Sequence, residues 1–193
     1  MPILPNPPGT AQTTGPLVAV LLYDGLCSFE FGIAAEVFGL HRPELGPTWY
    51  RYVSCGVEPG PLRAQGGVTL MPDHGPEMLD HAQIIVVPGW KGAQAPVPPD
   101  LTQRLIAAHA RGARLVSICS GVFVLAATGL LDGATATTHW RYADALQARF
   151  PKLRVDAARL YCNHGRVYTS AGSAAGIDLM LDIVRQDYGP AAA

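Results

Sequence analysis

Residues 115–121, Leu-Val-Ser-Ile-Cys-Ser-Gly, constrain this chain more than any other stretch. A short apolar strand runs straight into Cys119, and Ser120-Gly121 opens an apolar helix over Val122–Ala127. A strand–turn–helix of this kind exposes the side chain at the turn above the sheet, with neighbouring backbone N–H groups converging beside it. The start of a helix favours thiolate over thiol, so the pattern predicts a Cys119 pKa below the ordinary one. A buried cysteine at a strand end is the competing reading, since free Cys is among the most buried residue types. The local pattern leaves both open.

The rest of the chain alternates strand and helix around that turn. Leu17–Leu22 is a continuous apolar run, suited to a parallel strand buried on both faces. Ser28 reads as the cap of a helix reaching about His41, with Phe31, Ala34, Ala35 and Phe38 on its apolar stripe. Strands are expected over Trp49–Cys55, Val68–Met71, Gln83–Val87 and Arg114–Ile118. Asp100 opens a helix facing inward through Leu101, Leu105, Ile106 and Ala108. After the turn come Thr135–Thr138, a helix from about Trp140 to Phe150, a hairpin of Arg159–Cys162 with Val167–Ser170, and a helix over Ser173–Tyr188 ended by Gly189-Pro190. Such alternation implies an α/β sandwich with a mostly parallel sheet and a ligand at the carboxyl ends of its strands. Residues 1–16, with five prolines and no charge, read as a disordered lead-in to a single domain over 17–193.

Composition narrows the function classes. The net charge of −1 and the lack of any basic block argue against nucleic-acid binding by this chain itself. Only 15% of residues are charged against 49% hydrophobic, which leaves apolar surface for burial between subunits. No apolar run approaches the ~20 residues that span a bilayer, and the first basic residue is Arg42, so a cytoplasmic location is expected. Cys27, Cys55, Cys119 and Cys162 lie far apart with no zinc spacing, so neither metal nor cofactor is expected. They read as reduced thiols, with a disulfide involving Cys27 left open. Cys55 and Cys162 read as packing residues.

Three strand-to-loop junctions should converge on Cys119. Glu30 stands in the first turn of an otherwise apolar helix, as dipole compensation or as a carboxyl beside the sulfur that manages protons. Gly89, in Val-Pro-Gly-Trp at 87–90, allows close backbone approach, and an N–H there can join that of Ser120 as an oxyanion hole. His139, in Thr-Thr-His-Trp at 137–140, is either structural or a base for the thiol. Trp90, Trp140, Phe29 and Tyr23 would line an aromatic pocket, with the Trp90 ring crowding its mouth. Asp178, Asp182 and Arg185 read as a solvated polar stripe.

These marks together resemble the DJ-1/PfpI superfamily of class I glutamine-amidotransferase-like domains. They are Glu30, Val-Val-Pro-Gly at 86–89, Ile-Cys-Ser-Gly at 118–121, Ala-Thr-Thr-His-Trp at 136–140 and the segment 169–178, and the likeness covers about Leu17–Tyr188. Within the superfamily the chain looks most like the N-terminal domain of AraC-type regulators of the FtrA group. The resemblance implies a flavodoxin-like sandwich, usually a homodimer, with Cys119 at a nucleophile elbow, Glu30 touching its sulfur and His139 as a further site residue. It departs from the PfpI-like proteases, which place His after the cysteine where this chain has Ser120. Many relatives carry two glycines where this chain has Gly89-Trp90.

The expectation is therefore a domain that senses a small-molecule effector. A small amphipathic or cationic compound, such as a quaternary amine, suits it, because related regulators respond to such ligands. DNA would be bound only through a helix-turn-helix domain absent from these residues. Two other readings stay open: an isocyanide-hydratase-like cysteine enzyme, and a redox or stress protein in which Cys119 is oxidised.

Overall fold

The computed structural model describes residues 13–193. Most of the expected lead-in thus lies outside the described residues. Of its last four, the Thr14 N–H donates to the Pro47 carbonyl at 2.7 Å, and Gly15 O accepts from Arg51 Nε at 3.0 Å.

The elements are, in chain order, β1 (Leu17–Leu22), α1 (Ser28–Ala34), β2 (Arg51–Gly56), β3 (Leu62–Arg63), β4 (Thr69–Leu70), β5 (Ile84–Pro88), α2 (Pro99–Ala110), β6 (Arg114–Ile118), α3 (Val122–Ala127), β7 (Thr135–Ala136), α4 (Ala143–Arg149), β8 (Arg154–Val155), β9 (Tyr161–His164), β10 (Val167–Ser170) and α5 (Ala174–Tyr188). Six strands form one sheet in the order β2-β1-β5-β6-β10-β9. The pairs from β2 to β10 are parallel, and β9 runs antiparallel on the outer edge. Two small pairs, β3–β4 and β7–β8, stand apart.

Strand alternation sorts the core into two layers. Leu17, Ala19 and Leu21 of β1, Ile85 and Val87 of β5, and Leu115 of β6 point into a core closed by Leu101, Leu105 and Ala108 of α2 and by Val122–Ala126 of α3. Val18, Val20, Ile84, Val86, Val116 and Ile118 point the other way, against Ile33 and Ala34 of α1 and Leu179, Met180, Ile183 and Val184 of α5. A strand covered on both faces has no polar side to offer, so β1 is apolar at every residue and wholly buried. The result is the expected three-layer sandwich. Crossovers on both faces place the carboxyl ends of β1, β5 and β6 side by side.

Local differences have local causes. Cys27, not Ser28, is the N-cap of α1, because the Ser28 hydroxyl donates to the Gln65 carbonyl at 2.5 Å. The helix does not reach His41: after Ala34 a π-turn over Ala35–Gly39 ends it at Leu40, whose backbone is extended. Trp49 and Tyr50 lie outside β2 and join Phe38 and Tyr188 in an aromatic cluster. The stretch expected to be helical from Trp140 opens as a 3₁₀ turn, Trp140–Tyr142, before α4.

Candidate functional site

β6 ends at Ile118, and the next residue breaks the backbone rule for L-residues. Cys119 has φ +55° and is the only non-glycine residue in the left-handed region among those described. A side chain there costs roughly 1–2 kcal/mol against the right-handed region, so the surroundings must hold it in place. They do so at both its amide and its carbonyl. The Cys119 N–H donates to the Ala171 carbonyl at 3.1 Å, the Thr138 hydroxyl donates to the Cys119 carbonyl at 2.8 Å, and both Cys119 and Thr138 are buried.

The sulfur stands in a cradle that stabilises it only in part. The N–H groups of Ser120 and Ser173 lie against it and favour thiolate, but burial and then the Glu30 charge outweigh them. The thiol is pushed up to about 11. This corrects the expectation of a lowered pKa. The physical reason is that the residue is 7% exposed, and a site with so little water penalises the charged form more than two amides favour it.

Glu30 is buried, as an unusual helix-start charge should be if it faces a partner. It accepts a hydrogen bond from the Ser173 hydroxyl at 3.1 Å. Ser173 thus touches both polar members of the elbow, its amide at the thiol and its hydroxyl at the carboxyl. Sequence reasoning placed Ser173 only at a helix start, and a partner 143 residues away carries no local signal.

The loop after β5 meets the elbow differently from the expectation. Gly89 has φ +85°, and a β-carbon there would stand 2.9 Å from the Tyr23 hydroxyl oxygen and 3.1 Å from Cys27 Sγ. The glycine is required. Its N–H, however, already donates to the Ile118 and Val87 carbonyls, at 3.1 and 3.0 Å. The next N–H, of Trp90, donates to Ser120 Oγ at 2.9 Å, and that hydroxyl lies 3.2 Å from the Trp90 carbonyl as its donor. Neither amide is free for a developing oxyanion, so an oxyanion hole of Gly89 or Trp90 with Ser120 is not assembled here.

The expected aromatic pocket divides in two. The Trp90 ring is 4% exposed and tilted against Tyr23 at 5.0 Å between centroids, forming a wall and not a plug, and its buried Nε1 has no hydrogen-bond partner. Trp140 is 72% and Phe29 56% exposed, so both project outward instead of lining the elbow. Phe29 borders a separate apolar groove of about 420 Å³ with Ile33, Val37 and Ile177 on the α1/α5 face. His139 caps the 3₁₀ turn through Nδ1, which accepts from the Arg141 N–H at 3.2 Å, and its ring lies against Gly172. Asp178 is exposed and Asp182 pairs with Arg185 at 3.7 Å.

Beside the elbow a cleft of about 260 Å³ opens between loops, lined by Asp24, Cys27, Gln65, Trp90, Lys91 and Tyr142. Lys91 forms an ion pair with Glu58 and passes 5.8 Å from the centre of the Trp90 ring. The cleft therefore offers one aromatic wall, one carboxylate and one ammonium, a lining for a small polar molecule and not a greasy one. No group of three or more His, Cys, Asp or Glu suited to a metal ion occurs among the described residues.

Comparison with known proteins places this architecture. The profile of the DJ-1/PfpI family matches residues 17–186. The chain is 39% identical over 142 residues to the HTH-type transcriptional regulator CdhR of Pseudomonas aeruginosa, covering 73% of this chain and 42% of that protein. It is 34% identical over 128 residues to the isonitrile hydratase of Pseudomonas putida, covering 65% of this chain and 54% of the hydratase. A solved AraC family transcriptional regulator from Pseudomonas putida superposes with a TM-score of 0.78 at 21% identity, covering 92% of this chain and 95% of that one. The chain spans less than half the length of the regulator CdhR.

Proposed function

The chain belongs to the DJ-1/PfpI family, and from that premise we propose that it is the small-molecule-sensing domain of an AraC-type transcriptional regulator. The observation that carries this reading is the state of the elbow. The thiol is desolvated and raised to about 11, and the amides that would form an oxyanion hole are already bonded, while an open cleft stands beside it. Such a site binds better than it turns over. The likeness to the regulator CdhR supports the same direction.

In this proposal the effector occupies the cleft, against Trp90 and Tyr142, with Asp24 facing a cationic group and Lys91 an anionic one. A small amphipathic or cationic compound, a quaternary amine among them, fits that lining. Cys119, Glu30 and Gly89 stand behind this lining, Ser120 ties down Trp90, and His139 caps the turn that carries Tyr142. Phe29 and Ile177 on the α1/α5 face form an apolar surface suited to a second copy, and the protein acts as a cytoplasmic homodimer. DNA would be contacted by a helix-turn-helix domain in another part of the regulator.

The test is thermal-shift and calorimetric titration with quaternary ammonium and amino-acid compounds. Binding is expected to weaken at least roughly tenfold in Trp90→Leu and to survive in Cys119→Ser. A second reading, an isocyanide-hydratase-like enzyme, is favoured only by the elbow cysteine and the likeness to the hydratase. Turnover of an isocyanide by the wild type, abolished in Cys119→Ala, would replace the sensing proposal with this one.

A further inference from the structure

Cys119 is not the only thiol at this edge of the sheet. Cys27 is the N-cap of α1 and half-buried, and it forms part of the cleft wall together with Trp90 and Lys91. Its sulfur lies 3.1 Å from the point where Gly89 would carry a β-carbon, so the glycine is what leaves it room. The N–H of that same Gly89 is bonded at 3.1 Å to the carbonyl of Ile118, the residue before Cys119. Gly89 thus touches both the Cys27 sulfur and the residue that leads into Cys119.

Their surroundings are shared as well. Glu30 raises both thiols after the larger effect of burial, and the charge of Cys27 is felt at Cys119. The other two cysteines are elsewhere: Cys55 is on β2 and Cys162 on β9, the opposite outer strands of the sheet. All four are free thiols in this structure.

We propose that Cys27 and Cys119 are a redox pair, closing to an intramolecular disulfide when hydrogen peroxide enters the cleft. Cys27, the thiol on the cleft wall, is oxidised first. Its sulfur attacks the peroxide, the O–O bond breaks, and Cys27 sulfenic acid and one water result. Cys119 then loses its proton and attacks the Cys27 sulfur. The S–S bond forms as the S–O bond breaks, and the departing hydroxide with the proton from Cys119 makes the second water. The sum is two thiols and one peroxide going to one disulfide and two waters. The buried Cys119 thiol makes the second step slow at neutral pH. Its rate climbs about tenfold per pH unit while the thiolate is the minor form. The bridge would tie the start of α1 to the elbow, and the proposal stands whether or not the cleft takes an effector.

The experiment is peroxide titration of the chain at doses that oxidise free glutathione, quenched with iodoacetamide and read by non-reducing intact mass and peptide mapping. Before alkylation the expected product is lighter by about 2 Da, and after it two fewer thiols are alkylated, with the Cys27 and Cys119 peptides linked. In Cys27→Ser the link is lost and Cys119 instead gains about 32 Da as sulfinic acid. Oxygen addition at Cys119 with Cys27 still alkylatable would overturn the proposal. So would a link between two copies, identical products from wild type and Cys27→Ser, or no product at all.

Discussion

β6 and α5 meet at both ends of the molecule, and the two meetings are built on opposite principles. At the amino edge of the sheet, Arg114 opens β6 and grips Asp187 near the end of α5 through both terminal guanidinium nitrogens, at 2.9 and 2.5 Å. The Tyr50 hydroxyl donates to the same carboxylate at 2.6 Å, under an aromatic stack with Trp49, Phe38 and Tyr188. At the carboxyl edge the same strand ends in a strained Cys119, a desolvated thiol and an open cleft. One end gathers matched charges in relaxed backbone. The other holds mismatched groups in a conformation that only its neighbours permit. Stability and reactivity are thus placed at opposite ends of the same two elements.

The comparison is broken most directly at the amino edge. Asp187→Ala leaves the Arg114 guanidinium and the Tyr50 hydroxyl without their partner in a largely enclosed site. It should lower unfolding free energy by about 2–3 kcal/mol in urea titration. A loss below about 0.5 kcal/mol would mean the clamp is a surface pair of little value.

The carboxyl edge should show itself through pH. Cys119 has its folded pKa raised to about 11 from an ordinary value of 9.0, so the thiol form stabilises the fold. That contribution is complete below pH 9 and is lost as pH rises toward 11, because the unfolded chain gives up its proton first. Wild type should lose on the order of 2 kcal/mol more than Cys119→Ala across that interval. Equal slopes for the two proteins would show that the thiol is not desolvated in solution.

The smallest effect concerns the strain itself. Cys119→Gly relieves the positive φ while Cys119→Ala keeps it, so the glycine variant should be more stable than the alanine one by about 1 kcal/mol. Melting temperatures of the pair would decide it. An alanine variant at least as stable would place the elbow in an unstrained backbone.

What the sequence showed and what it hid follow the same division. β1, β6 and α3 lie at their expected residues: β1 is an unbroken apolar run because it is buried on both faces, and β6 and α3 are marked by the apolar runs on either side of Cys119 in spite of Ser117. The two-residue strands β3 and β8 carry too few positions for any period to emerge, while β4 and β7 fall inside the expected stretches Val68–Met71 and Thr135–Thr138 but are shorter. At the elbow, the cysteine and the odd charge of Glu30 were legible because each breaks its local pattern. The Thr138 hydroxyl on the Cys119 carbonyl, the Ser173 bond to Glu30 and the occupied Trp90 amide were not, since each joins residues far apart in the chain. The direction of the thiol shift was misjudged for a related reason. A helix start is visible in sequence, but the burial that overrides it is a property of the whole fold.

Ser120 has a consequence for how this site can change over generations. Its hydroxyl is bonded to both the N–H and the carbonyl of Trp90, so the residue after Cys119 is a structural tie between two loops. A histidine at that position would cut the tie before it conferred any chemistry. Trp90 would first have to give way to a residue that holds its loop unaided. Single substitutions from this state toward a proteolytic one therefore pass through a less stable intermediate, and the order of mutations is constrained. Any change of chemistry at the elbow is therefore coupled to the loop that carries Trp90.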